Sequence, residues 1–406
     1  MADLIGFTFI VSISLFTFYL ALRFPSISKI LFAALIVRVF FLFLGNVIDL
    51  PDSTADSVSF ETAAWRLGQN GFLNVISNYP GPGARFISWL IAIPYSLFGH
   101  SILIAKSMSL FFGMASVFMG WFVANKVWNE NFAKKVGWTI ALFPSLVLYS
   151  VIVMREAYMV FFLLLGLYGI VKWVKDYKFK SIILAMSGFI GATFFHGGMF
   201  VGGLIFLAVV GINTFKSFLK LLINYKINIR ILFILLFFIT SSSVYLSNQI
   251  NIPYLGTFEN STDIKNLLKK TDVATRGDAS WPRWTTISNP SEIIYKGPLR
   301  SIYMVFAPFP WDVTKIRHLI GMFDAFIYMY LSFLILKNIK IIWRDPALKI
   351  ILLILLAYIF VHGIGVGNFG TGIRHRSKFA VIFILLAAPL LKKIIFKKKS
   401  LKLKLL

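Results

Sequence analysis

Apolar runs of roughly 17 to 25 residues recur along the whole chain, separated by short segments rich in lysine, arginine, proline and glycine. One such run is what an α-helix needs to cross a hydrocarbon core of about 30 Å. Barrel strands would be about ten residues long and alternating, so these runs exclude a membrane β-barrel. The pattern predicts an all-α, polytopic transmembrane helix bundle with about 11 spans, near 4–22, 30–47, 107–124, 136–153, 157–174, 182–195, 199–215, 231–246, 319–336, 349–366 and 377–395. The segment "ARFISWLIAIPYSLFGHS" does not fit the series. It is apolar for only about 13 residues and contains Pro94, so a re-entrant or interfacial piece is expected there.

The orientation follows from charge. The tail "LKKIIFKKKSLKLKLL" holds seven lysines and no acid, which favours the cytoplasm. Counting back from it places "KNIKIIWRDPALK", "KSFLKLLINYKINIR", "KWVKDYKFK" and "NKVWNENFAKK" inside as well, as the positive-inside rule requires. Two polar segments then fall outside: a first loop, 49–86, carrying an amphipathic helix, and a long loop, 251–318, with a short helix expected around 261–271. The first run lacks a basic leader region and a small-residue cleavage site, so it is expected to stay as a helix with the N-terminus outside. No repeat or low-complexity linker divides the chain, and 1–406 is expected to form a single membrane domain.

Composition agrees with this and narrows the chemistry. The chain is 58% hydrophobic and only 14% charged, with a mean hydropathy of +0.80. The +25 net charge sits in short inter-helix loops and the tail, which is topology rather than a nucleic-acid surface, so no nucleic-acid partner is expected. There is no cysteine, which removes thiolate nucleophiles, thiolate metal sites and disulfides.

The unusual polar residues collect on the external side of this topology. Asp52, Asp56 and Glu61 lie in the first loop. Arg155 and Glu156 open a helix, His196 caps a hairpin, and "GTGIRHRSKF" crowds Arg374, His375, Arg376 and Lys378 at the head of the last apolar run. From Asp56 onward, Phe60, Ala64 and Leu67 share a helical face, and Asp56 also suits an N-cap. The basic cluster fits either a phosphate bound at a helix N-terminus or an anchor to lipid headgroups. An external basic cluster runs against the orientation rule, which favours the ligand. In the long loop, Arg276, Trp281, Arg283 and Trp284 combine charge with aromatic faces suited to sugar rings or to the membrane interface. Arg38 lies within a span and needs a partner, and His362 reads as a core residue.

The run Asp56, Phe60, Ala64, Leu67 and Gly71, followed by a Pro-containing apolar piece ending in "LFGHS", resembles the first external loop of C-fold (GT-C) membrane glycosyltransferases. The branch it looks most like contains dolichyl-phosphate-mannose protein mannosyltransferases and lipid A aminoarabinose transferases. The family usually has Tyr where this chain has Phe60. The stretch around "FPSLVLYSVIVMREAY" is similar to the family's helix, external turn and acidic helix start, while "FFHGGMF" and "GTGIRHRSKF" resemble O-antigen-polymerase-like assembly proteins.

The resemblance implies an inverting transfer from a polyprenyl-phosphate or polyprenyl-diphosphate sugar to a saccharide or lipid-linked acceptor, outside the inner membrane of a bacterium. It implies Asp56 as the base, with Glu61 and Glu156 as further candidates. Arg155, His196, Arg276, Trp281, Arg374, His375, Arg376 and Lys378 become candidates for substrate binding. No ligand spacing calls for a metal, although the family leaves room for Mg²⁺ or Mn²⁺. The competing reading is a transporter or flippase of lipid-linked oligosaccharides, which would favour charges in mid-membrane and inverted repeats. A non-catalytic assembly partner is a third, favoured if Asp56 and the basic cluster stand far apart.

Overall fold

A computed structural model describes residues 1–223 and 279–392, together with the isolated positions 236, 240 and 247. The expected span near 231–246, the helix near 261–271, Arg276 and the lysine tail lie outside the described residues.

The described chain is all helical apart from one isolated bridge between Ser280 and Asn368. In order the helices are α1 (Ala2–Arg23), α2 (Ser28–Leu44), α3 (Ala55–Gly68), α4 (Phe72–Ser77), α5 (Phe86–Phe98), α6 (Ile102–Val127), α7 (Glu130–Leu142), α8 (Pro144–Leu148), α9 (Glu156–Asp176), α10 (Phe179–Phe195) and α11 (Phe200–Ile223). After the undescribed stretch come α12 (Ile293–Phe306), α13 (Ile316–Lys337), α14 (Ile339–Arg344), α15 (Pro346–Gly365), α16 (Phe369–Ser377) and α17 (Ala380–Ala387). Among the described residues, six segments are long and apolar enough to cross a membrane: Ala2–Arg23, Ile102–Val127, Glu156–Asp176, Gly197–Leu219, His318–Lys337 and Pro346–Gly365. Helix α5 has 13 residues, about 20 Å at 1.5 Å per residue, which is too short to cross alone.

Two expected spans are broken. The run near 136–153 forms α7 and α8 with an extended Phe143 between them, because Pro144 has no N–H to continue the helix and excludes its neighbour from the α region. The break leaves the carbonyls at the end of α7 without helical partners, and Arg38 meets them. Its Nη1 donates to Ala141 O at 2.7 Å and its Nη2 to Ile140 O at 3.4 Å. The buried arginine within α2 therefore finds backbone rather than an acid. The run near 377–395 is also divided: the basic cluster ends α16, and α17 begins only after Phe379.

Small residues let the central helices approach closely. Gly166 and Gly169 of α9 face Gly188 and Ala185 of α10, and a Cβ at Gly169 or Gly188 would meet the opposing backbone. At the other end of the bundle, the buried Arg300 of α12 donates to the carbonyls of Gly363, Ile364 and Val366, closing the C-terminus of α15. Trp281 N–H to Gly367 O (2.8 Å) and Phe369 N–H to Ala279 O (2.9 Å) then pin the start of α16. Its N-cap is Asn368, whose Oδ1 accepts from Thr371 N–H.

Candidate functional site

The first turn of α3, the turn leading into α9 and the last turn of α16 meet at one point. Arg374 Nη1 is ion-paired with Asp56 Oδ2, and its Nε lies 3.7 Å from Glu156 Oε1. The three side chains come from segments separated by about a hundred residues or more, so only the fold unites them. Asp56 is 51% exposed, whereas Glu156 is 1% exposed and neither of its oxygens has a hydrogen-bond donor. A buried carboxylate without hydrogen-bond donors is costly unless a cation lies beside it, and Arg374 is that cation. Burial lowers the proton affinity of Arg374, but Glu156 and Asp56 outweigh it and hold the guanidinium above its ordinary pKa.

The surrounding turn is fixed by polar contacts. Tyr149 donates to Asp52 Oδ2 at 2.7 Å, and Val153 N–H donates to Ser57 Oγ at 3.2 Å. Asp52 has φ of +59°, a left-handed conformation that Asp tolerates better than most residues. Arg155 donates through Nη1 to Phe195 O at 3.1 Å, and its guanidinium lies over the Phe60 ring at 5.1 Å. The Phe60 ring thus supplies a cation–π face to Arg155.

Behind Arg374 the rings of His196, His362 and His375 gather, with centroids 4.9 to 5.5 Å apart. Burial, followed by the charge of Lys378 and of the neighbouring groups, holds His196 and His375 well below the usual histidine pKa, so both are neutral. Lys378 is itself buried. Beside α3, a cavity of about 570 Å³ is lined by Ser59, Thr62, Ala63, Arg66, Leu67 and Arg85.

Several candidates sit elsewhere. Arg374 and Arg376 are two positions apart on α16, roughly 200° around the helix, and therefore point to opposite sides. Arg376 is 0% exposed: its Nε and Nη2 bind Asp324 Oδ2 of α13 at 2.7 Å, and its other donors reach the carbonyls of Val305, Ala307 and Gly321. With its donors committed, Arg376 is not available to substrate. The basic residues occupy the last turn of α16, not the first turn of a helix, which removes the helix N-terminus from the expected anion site. Glu61 faces away from Asp56 and accepts from Tyr95 OH at 2.9 Å, with His100 Nε2 at 2.6 Å. Trp281 is 3% exposed and stacks on Arg300 at 5.2 Å, so it is a core residue rather than a platform for sugar. The N-cap of α3 is Thr54, with Asp56 two residues on, in the first turn.

Asp324 is absent from the candidates drawn from sequence, although an acid in an otherwise apolar span itself signals a buried partner. His362 reads as core in the sequence, and no local pattern pairs it with His196. Compared with known proteins, the chain matches no family model, no curated protein and no solved structure.

Proposed function

We propose that the protein is an integral-membrane glycosyltransferase, moving a sugar or oligosaccharide from a polyprenyl-(di)phosphate carrier to a hydroxyl acceptor. The observation that carries this reading is the convergence of Asp56, Glu156 and Arg374. In the proposed reaction the acceptor hydroxyl attacks the anomeric carbon, its proton passes to Asp56, and the carrier phosphate departs with the electrons of the glycosidic bond. Arg374 is placed to hold that phosphate, since a guanidinium binds it bidentately and cannot titrate away. A phosphate at Arg374 competes with Asp56 for the same donors, so donor binding would free the carboxylate to act as base. Glu156, buried behind them, keeps Arg374 in position. Arg155, His196, His375 and Lys378 stand around this centre as further binding groups, and Glu61 belongs to a separate polar contact.

The finer topology belongs to this reading: about 11 spans in a GT-C-like bundle, the loop at 251–318 external, and the Asp56 face toward the periplasm or exterior of a bacterial inner membrane. Cell-surface polysaccharide assembly, including repeat-unit polymerisation, is the proposed setting. The transporter alternative leans on charges within spans, and Arg38 is already engaged by the carbonyls of α7.

The test is sugar transfer from lipid-linked donors in membranes containing the full-length protein. Asp56→Asn should lower turnover by about 100-fold or more while the protein stays folded, the usual scale for a lost general base. Full activity in that variant removes Asp56 as the base. Arg374→Gln should raise the donor KM, and an unchanged donor affinity would count against the phosphate site.

A further inference from the structure

Three of the chain's five histidines meet in one cluster, contributed by the C-terminus of α10, by α15 and by α16. We infer that His196, His362 and His375 form a binding site for a borderline transition-metal ion, Zn²⁺ being the leading candidate. The inference stands apart from glycosyl transfer, because it needs neither Asp56 nor Arg374.

His362 is 3% exposed and its Nδ1 lies 3.0 Å from Tyr358 O. A carbonyl only accepts, so the ring proton sits on Nδ1 and the lone pair on Nε2. That Nε2 is buried, has no hydrogen-bond partner and faces the cluster, within 3.1 Å of the position a Cβ would take on Gly198. A histidine held by a backbone carbonyl through one nitrogen, with the other bare, is how proteins orient a metal ligand. His375 Nδ1 is likewise buried without a partner. Two unsatisfied ring nitrogens in one small space are costly unless something accepts their lone pairs.

His196 Nδ1 accepts from Gly198 N–H at 3.1 Å, so its proton is on Nε2. On binding, the Nδ1 lone pair exchanges the amide for the ion, and no proton need be released. One ligand atom from each ring lies within 4.8 Å of the others. Tetrahedral Zn–N bonds of about 2.0–2.1 Å bring the nitrogens to about 3.4 Å, a closure that small side-chain rotations supply. Three imidazoles and no carboxylate select Zn²⁺, Co²⁺ or Cu²⁺ over Mg²⁺ or Mn²⁺, whose preference is for oxygen. Three protein ligands also leave a fourth position open, the arrangement of reactive rather than purely structural zinc sites.

Lys378 is buried beside all three rings. Arg155 and Arg374 also bear on His196, but Arg374 is offset by Asp56 and Glu156.

The experiment uses the full chain, purified in detergent, stripped with chelator and titrated with Co²⁺ and then Zn²⁺. Expected are one Co²⁺ per chain with the intense visible absorption of a tetrahedral site, and its displacement by Zn²⁺. His362→Gln and His375→Gln should each weaken the affinity at least about tenfold, while His100→Gln leaves it unchanged. Wild-type protein that takes up no stoichiometric Co²⁺ or Zn²⁺ overturns the inference without recourse to any variant. Uptake that survives both cluster substitutions overturns it as well. The readout is independent of activity, so failure here leaves the Asp56 reading intact.

Discussion

Removing Asp324 should unfold the protein rather than alter its chemistry. Arg376 has no exposure and Asp324 only 12%, and their ion pair is 2.7 Å long. In Asp324→Ala the guanidinium keeps the carbonyls of Val305, Ala307 and Gly321 but loses the countercharge of Asp324. Stranding one member of a buried pair costs about 3–5 kcal/mol, because the remaining charge is neither solvated nor neutralised. That is a large part of the ~5–15 kcal/mol by which folded domains are typically stable. The pair as a whole is worth much less, since removing both charges also removes the cost of burying them. The double variant Asp324→Leu with Arg376→Met should therefore recover most of the loss. The assay is thermal unfolding of detergent-purified protein, followed by tryptophan fluorescence, for both single variants and the double. Equal stability of Asp324→Ala and wild type would refute the buried-pair account. A double variant no better than the worse single would do the same.

Other outcomes follow from the same contacts. Arg38→Met should cost about 2–4 kcal/mol, because it leaves the Ile140 and Ala141 carbonyls buried without donors; thermal unfolding reads it, and a neutral result would mean that those groups find other partners. Gly188→Leu should separate α9 from α10 and cost about 1–3 kcal/mol or more, seen as a lower unfolding midpoint and poorer yield in the membrane; wild-type stability would contradict the close approach. Trp281→Ala should lower stability by about 3–5 kcal/mol without changing saccharide affinity, and a selective loss of saccharide binding would return Trp281 to the site.

The membrane class, the all-helical architecture and most helix positions were legible in the chain, because a hydrocarbon core imposes one period and one length on anything that crosses it. Local chemistry was legible where it depends on neighbours in sequence: the amphipathic face of α3 and the demotion of α5 by its length. The sequence also drew attention to Asp56, Glu156 and Arg374 as charges needing a reason in an apolar chain. What it could not assign was direction. Arg374 and Arg376 look equivalent in "GIRHRS", yet 200° of helix rotation sends one to two carboxylates and a half-open face and the other into a sealed ion pair. Only tertiary packing brought Asp56 to Arg374, Arg38 to the broken end of α7, and His196 to His362 and His375. The physical reason is the same in each case. Apolar helices specify that they bury, but which polar group meets which is decided by rotation and crossing geometry, and these are set by every helix packed against them.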